Sequence, residues 1–149
     1  MAHRLTARFA RDTDGTGELF AEVRAGAFGG AGSAWFSEQE LVAFADKLAN
    51  TYPLASSDFV TIAGGYWSSG QPGVLEQRHV LLEVYPIGPL GSLGCRVELA
   101  RPRQGPESAT RRVEVELVTS YEPIRQFARA LVEVVHGRAR EAVLEGHGC

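Results

Sequence analysis

Apolar and polar residues alternate along the first segment, with Leu5, Ala7 and Phe9 on one side and Arg4, Thr6 and Arg8 on the other. A period of two is that of a strand with one face in water. Leu19, Ala21 and Val23 alternate again, so the turn-rich stretch Asp12 to Gly17 joins two strands of a hairpin. Gly26, Gly29, Gly30 and Gly32 then let the backbone bend or bulge before a short strand at Ser33–Phe36. From Ser37 the period changes. Leu41, Phe44, Ala45 and Leu48 recur at helical spacing, Ser37 and Glu40 form a capping box, and Asn50 and Pro53 supply stop signals.

Leu54 to Asp58 is a loop, and Phe59–Trp67 is a strand weakened by Gly64 and Gly65. Ser68 to Gly73 is a loop again. His79–Pro86 is apolar on both faces, which predicts a central strand under the helices. Residues 88–94 form a turn. Cys95, Val97 and Leu99 alternate with Arg96 and Glu98, and Val113, Val115 and Leu117 alternate with Arg112, Glu114 and Glu116. The polar stretch 101–108, with two prolines, makes these two strands a hairpin. Arg96, Glu98, Arg112 and Glu114 then face one another on the wet side, at a few tenths of a kcal/mol per pair.

Ser120, or Glu122 with Pro123, opens a second helix whose apolar face is Ile124, Phe127, Ala128, Leu131, Val134 and Val135. It ends at His136-Gly137 or continues through Arg138–Leu144, and residues 145–149 fray. The order β-β-β-α-β-β-β-β-α predicts one α+β domain over residues 1–149, an antiparallel sheet of about six to seven strands with two helices on one face.

A chain of 149 residues, 44% hydrophobic and 22% charged, has the composition of one folded domain. Its net charge of −3 offers no general attraction to nucleic acid or to an anionic membrane. Lys47 is the only lysine. We take the arginine excess, with 17 glycines, as the codon usage of a GC-rich bacterium. No apolar run reaches the roughly 20 residues a spanning helix needs, and the first residues lack a signal-peptide core, so a cytoplasmic location is expected. The two cysteines, Cys95 and Cys149, make no disulfide framework.

Chemistry is thinly represented. Asp12-x-Asp14-Gly15 lacks the later ligands of a calcium loop and fits a hairpin turn. The glycines at 26–32 spell no phosphate-binding motif. His3, His79, His136 and His147 are scattered, and His147-x-Cys149 is a poor metal site. His79, Glu83 and Cys95 come close if their strands pair, a possible thiol centre, although a mid-strand cysteine is usually inert. No cofactor and no metal is expected. Arg101, Arg103, Arg111 and Arg112 flank one loop and form the local basic patch; without interleaved aromatics they suit an acidic protein better than a nucleic acid. Tyr66 and Trp67, beside a Ser/Gly loop, have the residue types of interface anchors.

Three stretches carry a family resemblance: Phe28-Gly29-Gly30…Ser33-Ala34-Trp35-Phe36 with Ser37-x-x-Glu40-Leu41-x-x-Phe44-x-x-x-Leu48; Leu82-x-Val84-Tyr85-Pro86-x-Gly88…Gly94-Cys95-Arg96-Val97-x-Leu99; and Phe127-x-x-x-Leu131. In this order they are similar to bacterial immunity proteins of the WapI type and related actinobacterial domains. The resemblance implies a cytoplasmic, non-enzymatic protein that neutralises a cognate toxin domain, with no catalytic residues to carry over. The leading expectation is therefore a protein-binding module, monomeric or homodimeric, that contacts a toxin or another protein through Tyr66, Trp67, Arg101, Arg103, Arg111, Arg112, Glu114 and Glu116. A second expectation is a small-ligand or enzymatic domain, its pocket near the Gly-rich bend and using His79, Glu83, Tyr85 or Cys95. A third is self-association through an exposed edge strand.

Overall fold

A computed structural model describes residues 2–50, 53–55, 57–106 and 109–147. In chain order the elements are β1 (His3–Arg11), β2 (Thr16–Ala25), β3 (Phe28–Ser37), α1 (Glu38–Asn50), β4 (Val60–Trp67), β5 (Leu75–Ile87), β6 (Ser92–Ala100), β7 (Arg112–Ser120), α2 (Tyr121–Val135) and β8 (Ala142–Glu145).

The class is α+β with two helices, but the strands form two antiparallel sheets, not one. Their orders are β3-β2-β1-β8 and β4-β5-β6-β7. The physical reason lies in β3 and α1. After β3 the helix carries the chain away, and β4 founds a new sheet that faces the first. The residues of β3 that face this second sheet are Gly30, Gly32, Ala34 and Phe36, a row of mostly small side chains. A Cβ added at Gly32 would lie 3.1 Å from the His79 carbonyl oxygen and 3.2 Å from Leu99 Cβ, and one at Gly64 would lie 2.6 Å from the Phe36 ring. Glycine here permits close approach of two backbones. The bend expected from the glycines occurs at Gly26 alone, with φ of 63° in the β2–β3 turn. Gly29, Gly30 and Gly32 sit within a strand in unbroken register with β2, and that strand runs over Phe28–Ser37 rather than Ser33–Phe36. Gly32→Val is expected to destabilise the fold by about 2–3 kcal/mol through overpacking. It should lower the urea midpoint with an unchanged slope.

The helices follow their sequence patterns closely. Ser37 Oγ accepts the Glu40 amide at 3.0 Å and Glu40 Oε1 accepts the Ser37 amide at 3.2 Å, which completes the capping box. Leu41, Phe44, Ala45 and Leu48 are the buried face of α1. Ser120 is the N-cap of α2, whose buried face is the expected six residues. Gly137, with φ of 76°, ends α2, and the Gly137 and Arg138 amides bond the Val134 and Glu133 carbonyls. The helices pack chiefly on each other and against β1, β3, β4, β7 and β8. Their apolar faces, the inner faces of both sheets and Cys95 form one core.

Three further expectations need correction. Of the two readings of the end of α2, the one that continues it through Arg138–Leu144 fails, because Ala142–Glu145 form β8, paired with β1 from Arg4↔Glu145 to Ala7↔Ala142. Burial of Ala142 and Leu144 on the core side of the sheet favours the strand. Where fraying was expected, Glu145 is in that strand, the Gly146 amide bonds the His3 carbonyl and the His147 amide bonds the Val118 carbonyl; residues 148–149 lie outside the described residues. Glu98 was expected in water. It is 3% exposed, on the face of the second sheet away from the core. Among the described residues no helix is long and apolar enough to cross a membrane.

Candidate functional site

The outer face of the second sheet, at the end where the 101–111 loop leaves it, assembles most of the expected contact residues. The neck of the loop is closed by the Arg101 amide bonding the Arg111 carbonyl at 2.9 Å. Its flank is held by one side chain of β5. Gln77 Nε2 donates to the Arg103 carbonyl at 2.8 Å, and Gln77 Oε1 accepts the Arg103 amide at 2.9 Å. This double bond to a backbone fixes which end of the Gln77 amide is oxygen. Oε1 also lies 3.1 Å from His79 Nε2, so that nitrogen must carry the proton.

His79 is buried, and the Tyr66 ring meets it edge-on, with centroids 4.6 Å apart at 82°. Burial lowers its pKa below the ordinary 6.5. The unfolded imidazole therefore takes up a proton near 6.5 and the folded one only at lower pH. Between those values the unfolded state binds more protons, so stability falls as pH falls. The urea midpoint is expected to decline from about pH 6.5 downward, and His79→Gln should flatten that decline. The carboxyls of Asp14 and Glu133 are held below their ordinary 3.8 and 4.5 by hydrogen bonds from Thr16 and Arg138, so their contribution is lost only at pH below those values.

Next to this cluster stands Glu98, paired in register with Leu81 and Glu114. Arg78 grips it through Nε and Nη2, at 3.2, 3.0 and 2.9 Å, and Arg112 Nη2 lies 2.8 Å from the same carboxylate. The arginine side chains remain 41% and 52% exposed. A buried carboxylate thus anchors two half-exposed guanidiniums and limits their rotamers. Arg78, Arg112, Arg101, Arg103 and Arg111 all line one cleft of about 570 Å³. Arg101, Arg111 and Arg112 also line a second cavity of about 570 Å³, against Gly29, Gly30 and Ala31.

Of the expected residues, the four arginines share the cleft, and Tyr66 joins them through His79 and Gln77. Trp67 is 51% exposed at the end of β4, opposite Leu75. Glu114 reaches Arg112 at 3.9 Å. Glu116 stands further along β7, where it accepts the Tyr85 hydroxyl; burial and this carboxylate together raise the Tyr85 pKa. The alternative chemical set does not converge. Cys95 points into the core and its thiol is pushed up to about 12 by burial. His79, Glu83 and Tyr85 project from the opposite face of their sheet. Among the described residues no group of three or more His, Cys, Asp or Glu could hold a metal ion; Cys149 lies outside them.

Gln77, Arg78 and Glu98 were not foreseen as site residues. Glu98 looked like one more polar position of an alternating strand, and only the pairing with β5 reveals its partners. A second surface was also missed. On the outer face of the first sheet, Phe20 and Trp35 are exposed, and a cavity of about 800 Å³ is lined by Phe20 with Arg4, Arg8 and Arg24. The signal was present in the outward positions of β1 and β2. Compared with protein-family models, curated proteins and solved structures, the chain finds no match.

Proposed function

We propose that the protein is a non-enzymatic binding module that acts by covering a partner, in the manner of an immunity protein that neutralises a bacterial toxin domain in the cytoplasm. One observation carries this reading: the Gln77 clamp on Arg103 holds the arginine loop beside exposed Tyr66. Tyr, Trp and Arg dominate the energetics of protein interfaces. A surface held in place before contact loses less entropy on binding. The similarity to WapI-type immunity proteins points the same way. The contact set is Tyr66, Trp67 and the arginines of the loop, with Glu114 and Glu116 at its margin. The module works as a monomer or a homodimer.

The test is capture of a protein from the native lysate, and of the product of the adjacent gene, with the partner's activity measured before and after binding. Tyr66→Ala and Trp67→Ala should each weaken the complex by about 2 kcal/mol, roughly thirtyfold in Kd. Recovery of the tagged protein alone would sink the reading. A small-ligand function keeps one supporting observation, the cavity beside Gly29 and Gly30, but its polar lining is Arg101, Thr110, Arg111 and Arg112 in place of His79, Glu83 and Cys95.

A further inference from the structure

A chain of net charge −3 gathers five arginines around one cleft, where Glu76 is the single lining acid among the described residues. Glu98 lies behind them and holds Arg78 and Arg112, and Glu114 stands 3.9 Å from Arg112, so the uncompensated charge is that of the loop arginines. Arg101, Arg103 and Arg111 take part in no ion pair among the described residues. Clustered like charges repel, so the cleft is a focus of positive potential that an arriving anion would relieve. Its parts are also held in place: Gln77 grips the loop backbone, and Glu98 grips Arg78 and Arg112.

Resting on the binding-module reading, we propose that this cleft receives a carboxylate-rich segment of the partner protein. Guanidinium forks match carboxylates with two parallel hydrogen bonds. The cleft follows the flank of a surface loop, so an extended segment can lie along it. Nucleic acid fits less well, because among the described residues no Phe, Tyr or Trp lines the cleft to stack a base.

The experiment is a titration of the isotope-labelled full chain by two-dimensional NMR, with a hexaglutamate peptide, with hexathymidylate and with inorganic phosphate. Hexaglutamate should shift the backbone amides of residues 77–79 and 100–106 saturably. Its Kd should rise about tenfold between about 50 and about 200 mM salt, as screening predicts. The variant Arg101→Gln/Arg103→Gln/Arg111→Gln, altered only at exposed positions, should keep its spectrum elsewhere and lose roughly tenfold or more in affinity. Tighter binding of hexathymidylate or phosphate, shifts scattered over the surface, or unchanged affinity in the triple variant would overturn the inference. Equal capture of a partner by parent and variant would overturn it too, while leaving the binding module standing. Saturable hexaglutamate binding with no partner captured would remove the module reading and keep a carboxylate site.

Discussion

The double variant Arg78→Met/Arg112→Met is expected to lose about 3 kcal/mol of folding stability, far more than two surface ion pairs would suggest. Both arginines are half-exposed, so their own hydration changes little. The loss comes from Glu98, which is 3% exposed and would be left with a full charge and no counter-ion. Exposed pairs are typically worth about 1 kcal/mol or less, and removal of either arginine alone should stay near that figure, because the other still holds the carboxylate. The two losses are therefore strongly non-additive. Adding Glu98→Leu to the double variant should recover most of the stability, since a buried ionic group replaced by a packed apolar one is often neutral or favourable. Urea titrations of the parent and the four variants test this. A double-variant loss no larger than the sum of the singles would show that water reaches Glu98.

Phe127→Ala is expected to be costlier still, about 4 kcal/mol. Among the described residues Phe127 is the largest fully buried side chain, and it sits at the centre of the α2 face, in the core that joins both sheets and both helices. Deletion of the ring loses its transfer free energy and leaves a cavity that helices and sheets hem in. Against a total of about 5–15 kcal/mol for a domain, such a loss is a large fraction. For a chain of this size it should lower Tm by roughly 8–16 °C. Phe28 provides the contrast. It is 70% exposed, and Phe28→Ala should stay within about 0.5 kcal/mol. Thermal melts followed by far-UV circular dichroism compare the two.

The helices were legible in the sequence because their information is local. The Ser37–Glu40 cap, the buried face of α1 and the six apolar positions of α2 each depend on spacings of three or four residues. The first seven strands were legible for the same reason, as was the pairing of β1 with β2 as a hairpin, whereas β8 was not foreseen. Their division into two sheets was not, because period two says which face is apolar but not what that face meets. Gly30 and Gly32 illustrate the limit. A glycine within a strand signals a bend or a close approach equally well, and only the second sheet decides for the latter. The site divides similarly. Arg101, Arg103, Arg111 and Arg112 were visible as a cluster because one loop carries them. Gln77, Arg78 and Glu98 come from other strands, and their pairings with Arg103, Glu98 and Arg112 span 26, 20 and 14 residues. Cys95 was placed correctly on the buried side by its strand alternation, whereas Glu98, three residues later, was misjudged by the same rule.

Pairing of β1 with β8 also sets the order in which the molecule can assemble. Leu5 and Ala7 must find Leu144 and Ala142 across almost the whole chain, and contacts of such separation are the slow ones in folding. During synthesis the first hairpin is finished long before β8 leaves the ribosome. Until then β1 presents an open row of backbone donors and acceptors, the template on which stray chains add a strand. The short strand β8 thus shields the Arg4–Ala7 half of that edge, a protection the chain lacks until β8 is made.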